Sequence, residues 1–62
     1  MQPTYNFEEV CALVWDANRV ELEILSDLVT EEIEGYSPSE AKQMSYLFNA
    51  RKYYLISHAS KQ

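Results

Sequence analysis

The chain has 62 residues, with ten acidic side chains against five basic ones, a single histidine and a net charge of −5. That length holds one domain with a marginal core, and the negative charge argues against direct nucleic-acid binding and against adhesion to anionic membranes. One cysteine, Cys11, excludes an internal disulfide, and one cysteine with one histidine is too poor a ligand set for structural zinc. No calcium loop or Glu-x-x-His pattern is present, so no metal or cofactor is expected and a protein partner becomes the natural source of extra stability.

In chain order, Met1 is followed by Gln2-Pro3-Thr4-Tyr5, without the basic region or apolar core of a signal peptide. No later apolar run reaches bilayer length, so the expected location is cytoplasmic. The first helix is predicted to begin after Asn6, whose pairing with Glu9 makes a capping box. Tyr5 and Val10 are placed for a hydrophobic staple, and Glu8 and Glu9 suit the positive helix pole. This helix is expected over about 7–34, ended by Gly35 in the left-handed conformation. After a turn at 35–37, the second helix repeats the grammar, with Ser37 as cap, Pro38 as first residue and Glu40 closing the box. It is expected over about 38–58, with Lys61 and Gln62 frayed. So short a turn makes neighbouring helices antiparallel. The expected fold is therefore all-α, one domain over 1–62 built as an antiparallel helical hairpin of two long helices.

At 100° per residue, Phe7, Val10, Cys11, Val14, Ala17, Leu25, Leu28 and Val29 form a central apolar stripe on the first helix. Leu13, Val20 and Ile24 widen it on one side; Trp15, Leu22 and Ile33 widen it on the other. On the second helix, Ala41, Met44, Phe48, Leu55 and Ala59 form one stripe, and Tyr46, Ala50 and Tyr53 a second face. One neighbouring helix cannot cover arcs so wide, which points to a homodimer forming a four-helix bundle. Val14, Trp15, Leu22, Leu25, Tyr46, Tyr53 and Tyr54 are the candidate residues for self-association or for binding another protein. In length and topology this layout is similar to that of small plasmid-encoded RNA-binding helical-hairpin dimers.

Glu21 interrupts the apolar stripe near Asn18, and Arg51 sits at the margin of the other stripe. In a hairpin they come level, so a partly buried Glu21–Arg51 pair is expected, serving either as a register device or as a polar pocket. The same register brings His58 near Val14 and Trp15, and thus toward Cys11, which reads as a small core residue rather than a nucleophile. Tyr36 is expected to cover the hairpin end. Acids concentrate on the first helix, including Glu31, Glu32 and Glu34 near its negative pole, and bases on the second. The segment Ser45-Tyr46-Leu47-Phe48-Asn49 resembles the Ser-x-x-x-Asp motif of small helical-hairpin phosphatases acting on sporulation response regulators, with Asn49 standing where that family has Asp. No residue set amounts to a catalytic site. The leading expectation is a small non-enzymatic interaction or regulatory module, with an acidic inhibitor imitating nucleic acid and the phosphatase as alternatives.

Overall fold

The computed structural model describes residues 2–59, apart from the side chain of Ala59. Lys61 and Gln62, expected to fray, and the Ala59 side chain, placed in the second apolar stripe, lie outside the described residues. The fold is all-helical, with no strand among the described residues. The described residues form three helices where the sequence suggested two: α1 Phe7–Asp16, α2 Arg19–Glu31 and α3 Pro38–Ala59, with a 3₁₀ turn, Ile33–Gly35, between α2 and α3.

Each helix start is fixed by the same reciprocal pair of bonds. Glu9 N donates to Asn6 Oδ1 at 2.8 Å and Asn6 N to Glu9 Oε1 at 3.0 Å. Glu40 N donates to Ser37 Oγ, and Ser37 N to Glu40 Oε1, both at 3.1 Å. A third box, between Asn18 and Glu21, divides the helix expected over 7–34 (2.9 and 3.0 Å). Ala17 and Asn18 lie in the extended region, with ψ of 137° and −177°. Satisfying two orphan donors at a cap is worth about 1 kcal/mol, enough to choose a break over continuation where no packing opposes it. The periodicity favours one long helix, because apolar residues keep the same spacing on both sides of the break and only Glu21 interrupts them.

The break reverses the chain, and long-range bonds set the directions. Tyr36 Oη donates to Tyr5 O at 2.6 Å, joining the start of α1 to the start of α3. Arg51 Nε donates to Ala17 O at 3.1 Å, joining the end of α1 to the later half of α3. Hence α1 runs parallel to α3 and packs against it, and α2 returns antiparallel to both in an up-down-up bundle. At 22 residues α3 is about 33 Å long and outruns the 13-residue α2, giving extents of 43 × 18 × 16 Å.

The core is Val10, Val14 and Ala17 from α1, Leu22, Leu25 and Val29 from α2, and Tyr36 and Met44, with Tyr5, Phe7, Leu47, Phe48 and Leu55 packed around it. Tyr36 covers the end of the bundle, as expected of it, and is held by its bond to Tyr5. Gly35 departs from the sequence reading: no glycine has a positive φ. Its role is close approach, since a Cβ there would stand 2.9 Å from Pro3 Cδ. Glu32, awkward at the negative end of α2, is put to use, accepting from Thr4 N at 2.9 Å and Thr4 Oγ1 at 2.8 Å. Residues 3–5 thus form a strap across the end of the bundle.

The Tyr36 hydroxyl gives the first test. Burial pushes its pKa above the ordinary value, and the negative charges of Glu32, Glu40 and Glu9 add to this. A pKa raised by folding contributes stability that is fully present below about pH 10 and is lost as pH climbs through the folded-state value. Tyr36→Phe should cost about 1 kcal/mol at neutral pH through loss of the bond to Tyr5. It should also remove part of the alkaline fall in stability, read from urea melts between pH 8 and 11.

Candidate functional site

The expected Glu21–Arg51 pair does not form. Glu21 is exposed and spends its carboxylate on the Asn18 cap; Arg51, half-buried, holds the Ala17 carbonyl. No polar or charged residue is buried among the described residues. The physical reason is the helix break: with a free helix end at Asn18, Glu21 becomes a third-position capping residue, and the α1 carbonyl it releases needs a donor, which Arg51 supplies. The Arg51 guanidinium also lies 5.0 Å from the Tyr54 ring centre, and Tyr54 stacks on His58 at 3.9 Å. Those three residues form a ladder along one side of α3.

His58 does not approach Cys11, because α1 runs parallel to α3 and ends level with Arg51. Burial pushes the Cys11 thiol upward, a backbone hydrogen bond partly opposes this, and Glu8 adds to the rise. That environment suits a half-buried packing residue and suppresses the thiolate.

The seven candidate interface residues divide into two groups. Val14, Leu22 and Leu25 belong to the internal core of the single chain, Leu22 and Leu25 keeping a small exposed edge. The reversal at Ala17–Asn18 turns the inner faces of α1 and α2 toward α3 and, to a lesser extent, toward each other, so the single chain itself covers most of these three side chains. Trp15, Tyr46, Tyr53 and Tyr54 stay exposed, Tyr53 most of all at 72 %. Tyr46, Ala50 and Tyr53 follow one another along the outer side of α3, away from Met44.

A groove of about 680 Å³ lies between α2 and α3. Leu22, Phe48 and Leu55 form its floor, with Val20 and Ile56 at its edges. Glu23 and Asp27 stand on the α2 wall, Lys52 on the α3 wall and Arg19 at the end. Val20 belongs to the wide apolar arc read from the sequence, but neither it nor Ile56 is among the candidate interface residues named from the sequence. A smaller concavity of about 270 Å³ lies between α1 and α2, beside Leu13, Ile24 and Leu28. Ser45 and Asn49 are both exposed on α3, and Asn49 lies on the groove wall. An amide at that position supplies no carboxylate, which leaves the phosphatase-like spacing without its acid.

Among the described residues no cluster of three or more His, Cys, Asp or Glu is arranged to hold a metal ion, and no helix is long and apolar enough to cross a membrane. Compared with known proteins, the chain matches no family model, no curated protein and no solved structure.

Proposed function

We propose that the chain is a small non-enzymatic protein-interaction module that works as a homodimer through the α2–α3 groove. The observation that carries this reading is the balance of apolar surface. Among the described residues, nine large hydrophobic side chains are exposed, against eight buried hydrophobic residues. A core so small contributes only a few kcal/mol, and apolar surface on this scale marks an interface. Charge argues for a second copy as the occupant. The groove has acids on one wall and Lys52 on the other. A two-fold axis along it sets Lys52 against the partner subunit's Glu23 or the partner subunit's Asp27, and the same contact repeats in reverse. α3 points the same way, being apolar on its inner face and again at Tyr46 and Tyr53, as befits a helix covered from two sides.

Sedimentation equilibrium over a wide concentration range, at low and high salt, tests this. The expected result is a dimer that weakens as salt screens the Lys52 contacts. Val20→Glu, which puts a carboxylate at the edge of the groove beside Glu23, should weaken dimerisation at least about tenfold with helix content unchanged. A 7.3 kDa particle at every concentration ends the proposal.

A second reading rests on Glu23, Asp27 and Glu31, exposed at four-residue spacing along α2. Such a stripe supports an acidic inhibitor that takes the place of nucleic acid on a basic protein. The two readings compete, since a groove dimer covers Glu23 and Asp27. Under this second reading the chain binds as a monomer, and charge reversal at the three positions abolishes binding.

A further inference from the structure

The junction between α1 and α2 has the features of a hinge with two stable settings. Ala17 has φ −73° and Asn18 φ −83°, both already close to the helical value of about −63°. Only the two ψ angles, 137° and −177°, separate this junction from an uninterrupted helix. Neither residue is glycine or proline, so nothing covalent forbids that rotation. Each side-chain bond at the break has a backbone replacement in the straight form. Asn18 N, now bonded to Glu21 Oε1, would donate to Val14 O; Glu21 N, now bonded to Asn18 Oδ1, would donate to Ala17 O. That last bond also replaces the Arg51 guanidinium on the Ala17 carbonyl. The apolar stripe Phe7, Val10, Val14, Ala17, Leu25, Leu28 keeps its helical spacing across the junction, so one straight helix has a single apolar face, interrupted at Glu21.

What opposes straightening is the docking of α1. When the hinge opens, Val10 and Val14 leave Met44, and the strap bonds of Thr4 and Tyr36 break. A lone chain loses its core by this. Two chains do not, because each vacated seat on α3 is complementary to one segment above all, the α1 of another copy. A junction of two residues between packed helices is a known route to such exchange.

We propose that Ala17–Asn18 is a switch between a closed monomeric bundle and an open form in which two copies exchange α1. Asn18 and Arg51 hold the closed setting. The inference goes beyond the groove pairing proposed above and does not depend on it: exchange places interchain contacts at Met44, whereas groove pairing places them at Val20 and Ile56.

Two substitutions at one position separate the settings. Asn18→Ala removes the cap acceptor and inserts the best helix former, favouring the straight form. Asn18→Pro also removes the cap, but it fits the closed backbone, since φ is −83° and the preceding ψ is 137°. A proline ring inside the straight helix collides with the preceding turn, so this variant locks the hinge closed. Arg51→Met, which keeps the apolar stem and frees the Ala17 carbonyl, should act in the direction of Asn18→Ala. The readouts are dimer dissociation constant and isotope-filtered NOEs between Met44 methyls of labelled chains and Val10 or Val14 of unlabelled chains. Expected are interchain NOEs in Asn18→Ala and in Arg51→Met, dimerisation at least about tenfold tighter than the parent in both, and no interchain NOE at Met44 in Asn18→Pro. Interchain NOEs missing from both opening variants, or present in the proline variant, overturn the switch. A dimer whose interchain NOEs fall at Val20 and Ile56 alone sinks the exchange and leaves the groove pairing intact.

Discussion

Met44→Ala should leave most molecules unfolded at 25 °C. Met44 is 1 % exposed and is the largest of the three side chains that the fold buries completely, the others being Val10 and Val14. It is the point where the inner faces of α1 and α2 meet α3. Truncating a buried methionine removes its transfer energy and leaves a cavity, together about 2–5 kcal/mol. A core of this size supplies only about 3–5 kcal/mol in total, so the loss matches the whole stability. Met44→Leu keeps the volume and should cost less than about 1.5 kcal/mol. Urea melts followed by far-UV circular dichroism measure both, at matched concentrations because association adds its own stabilisation. If the alanine variant melts within about 1 kcal/mol of the parent, the three helices do not converge on Met44.

Gly35→Ala should destabilise the closed bundle by about 1–3 kcal/mol, the usual cost of overpacking. Two effects oppose each other here. Alanine restricts the unfolded chain more than glycine does, which alone would stabilise by up to about 1 kcal/mol where the backbone accepts it. The backbone does accept it, as the φ is not positive. The new methyl, however, would sit 2.9 Å from Pro3 Cδ and 3.2 Å from Pro3 Cβ. A proline ring cannot turn aside without moving the chain it closes. The strap must therefore lift, and Thr4–Glu32 and Tyr36–Tyr5 are strained with it. The steric cost exceeds the entropic gain, so the sign is destabilising. Pairing the change with Pro3→Ala should restore most of the loss; a double variant no better than the single one would remove the strap from the explanation.

Much of this fold can be read one residue group at a time, and the exceptions are instructive. The starts of α1 and α3 follow from Asn6 with Glu9 and Ser37 with Glu40, and both boxes form as the local sequence predicts. Asn18 and Glu21 carry the same signal, yet the reading favoured continuity because the apolar period crosses them and no glycine or proline intervenes. A capping pair in the middle of an apolar stripe therefore counts as a break signal in its own right. Apart from the conformation of Gly35, the remaining errors descend from that one. With the first helix unbroken, Val14, Leu22 and Leu25 seem to need a partner, Glu21 seems to need Arg51, and His58 comes level with Trp15. The bonds Tyr36–Tyr5 and Arg51–Ala17 join residues 31 and 34 positions apart, and no local pattern announces them. Of the candidate interface, the exposed aromatics Trp15, Tyr46, Tyr53 and Tyr54 were legible from periodicity, whereas the groove was not, since it exists only once α2 has turned back along α3.

The up-down-up order also makes the molecule an electric dipole. It brings the starts of α1 and α3 and the end of α2 to one pole, and with them Glu8, Glu9, Glu31, Glu32, Glu34 and Glu40, accompanied by a single base, Lys42. Arg19, Arg51 and Lys52 lie toward the opposite pole, where they balance Asp16, Glu21 and Glu23. The net negative charge thus gathers at one end of a body 43 Å long, several times the Debye length of about 8 Å at physiological salt. Anything charged that approaches meets two different ends rather than an average. A basic surface is drawn to the strapped pole and not to the other.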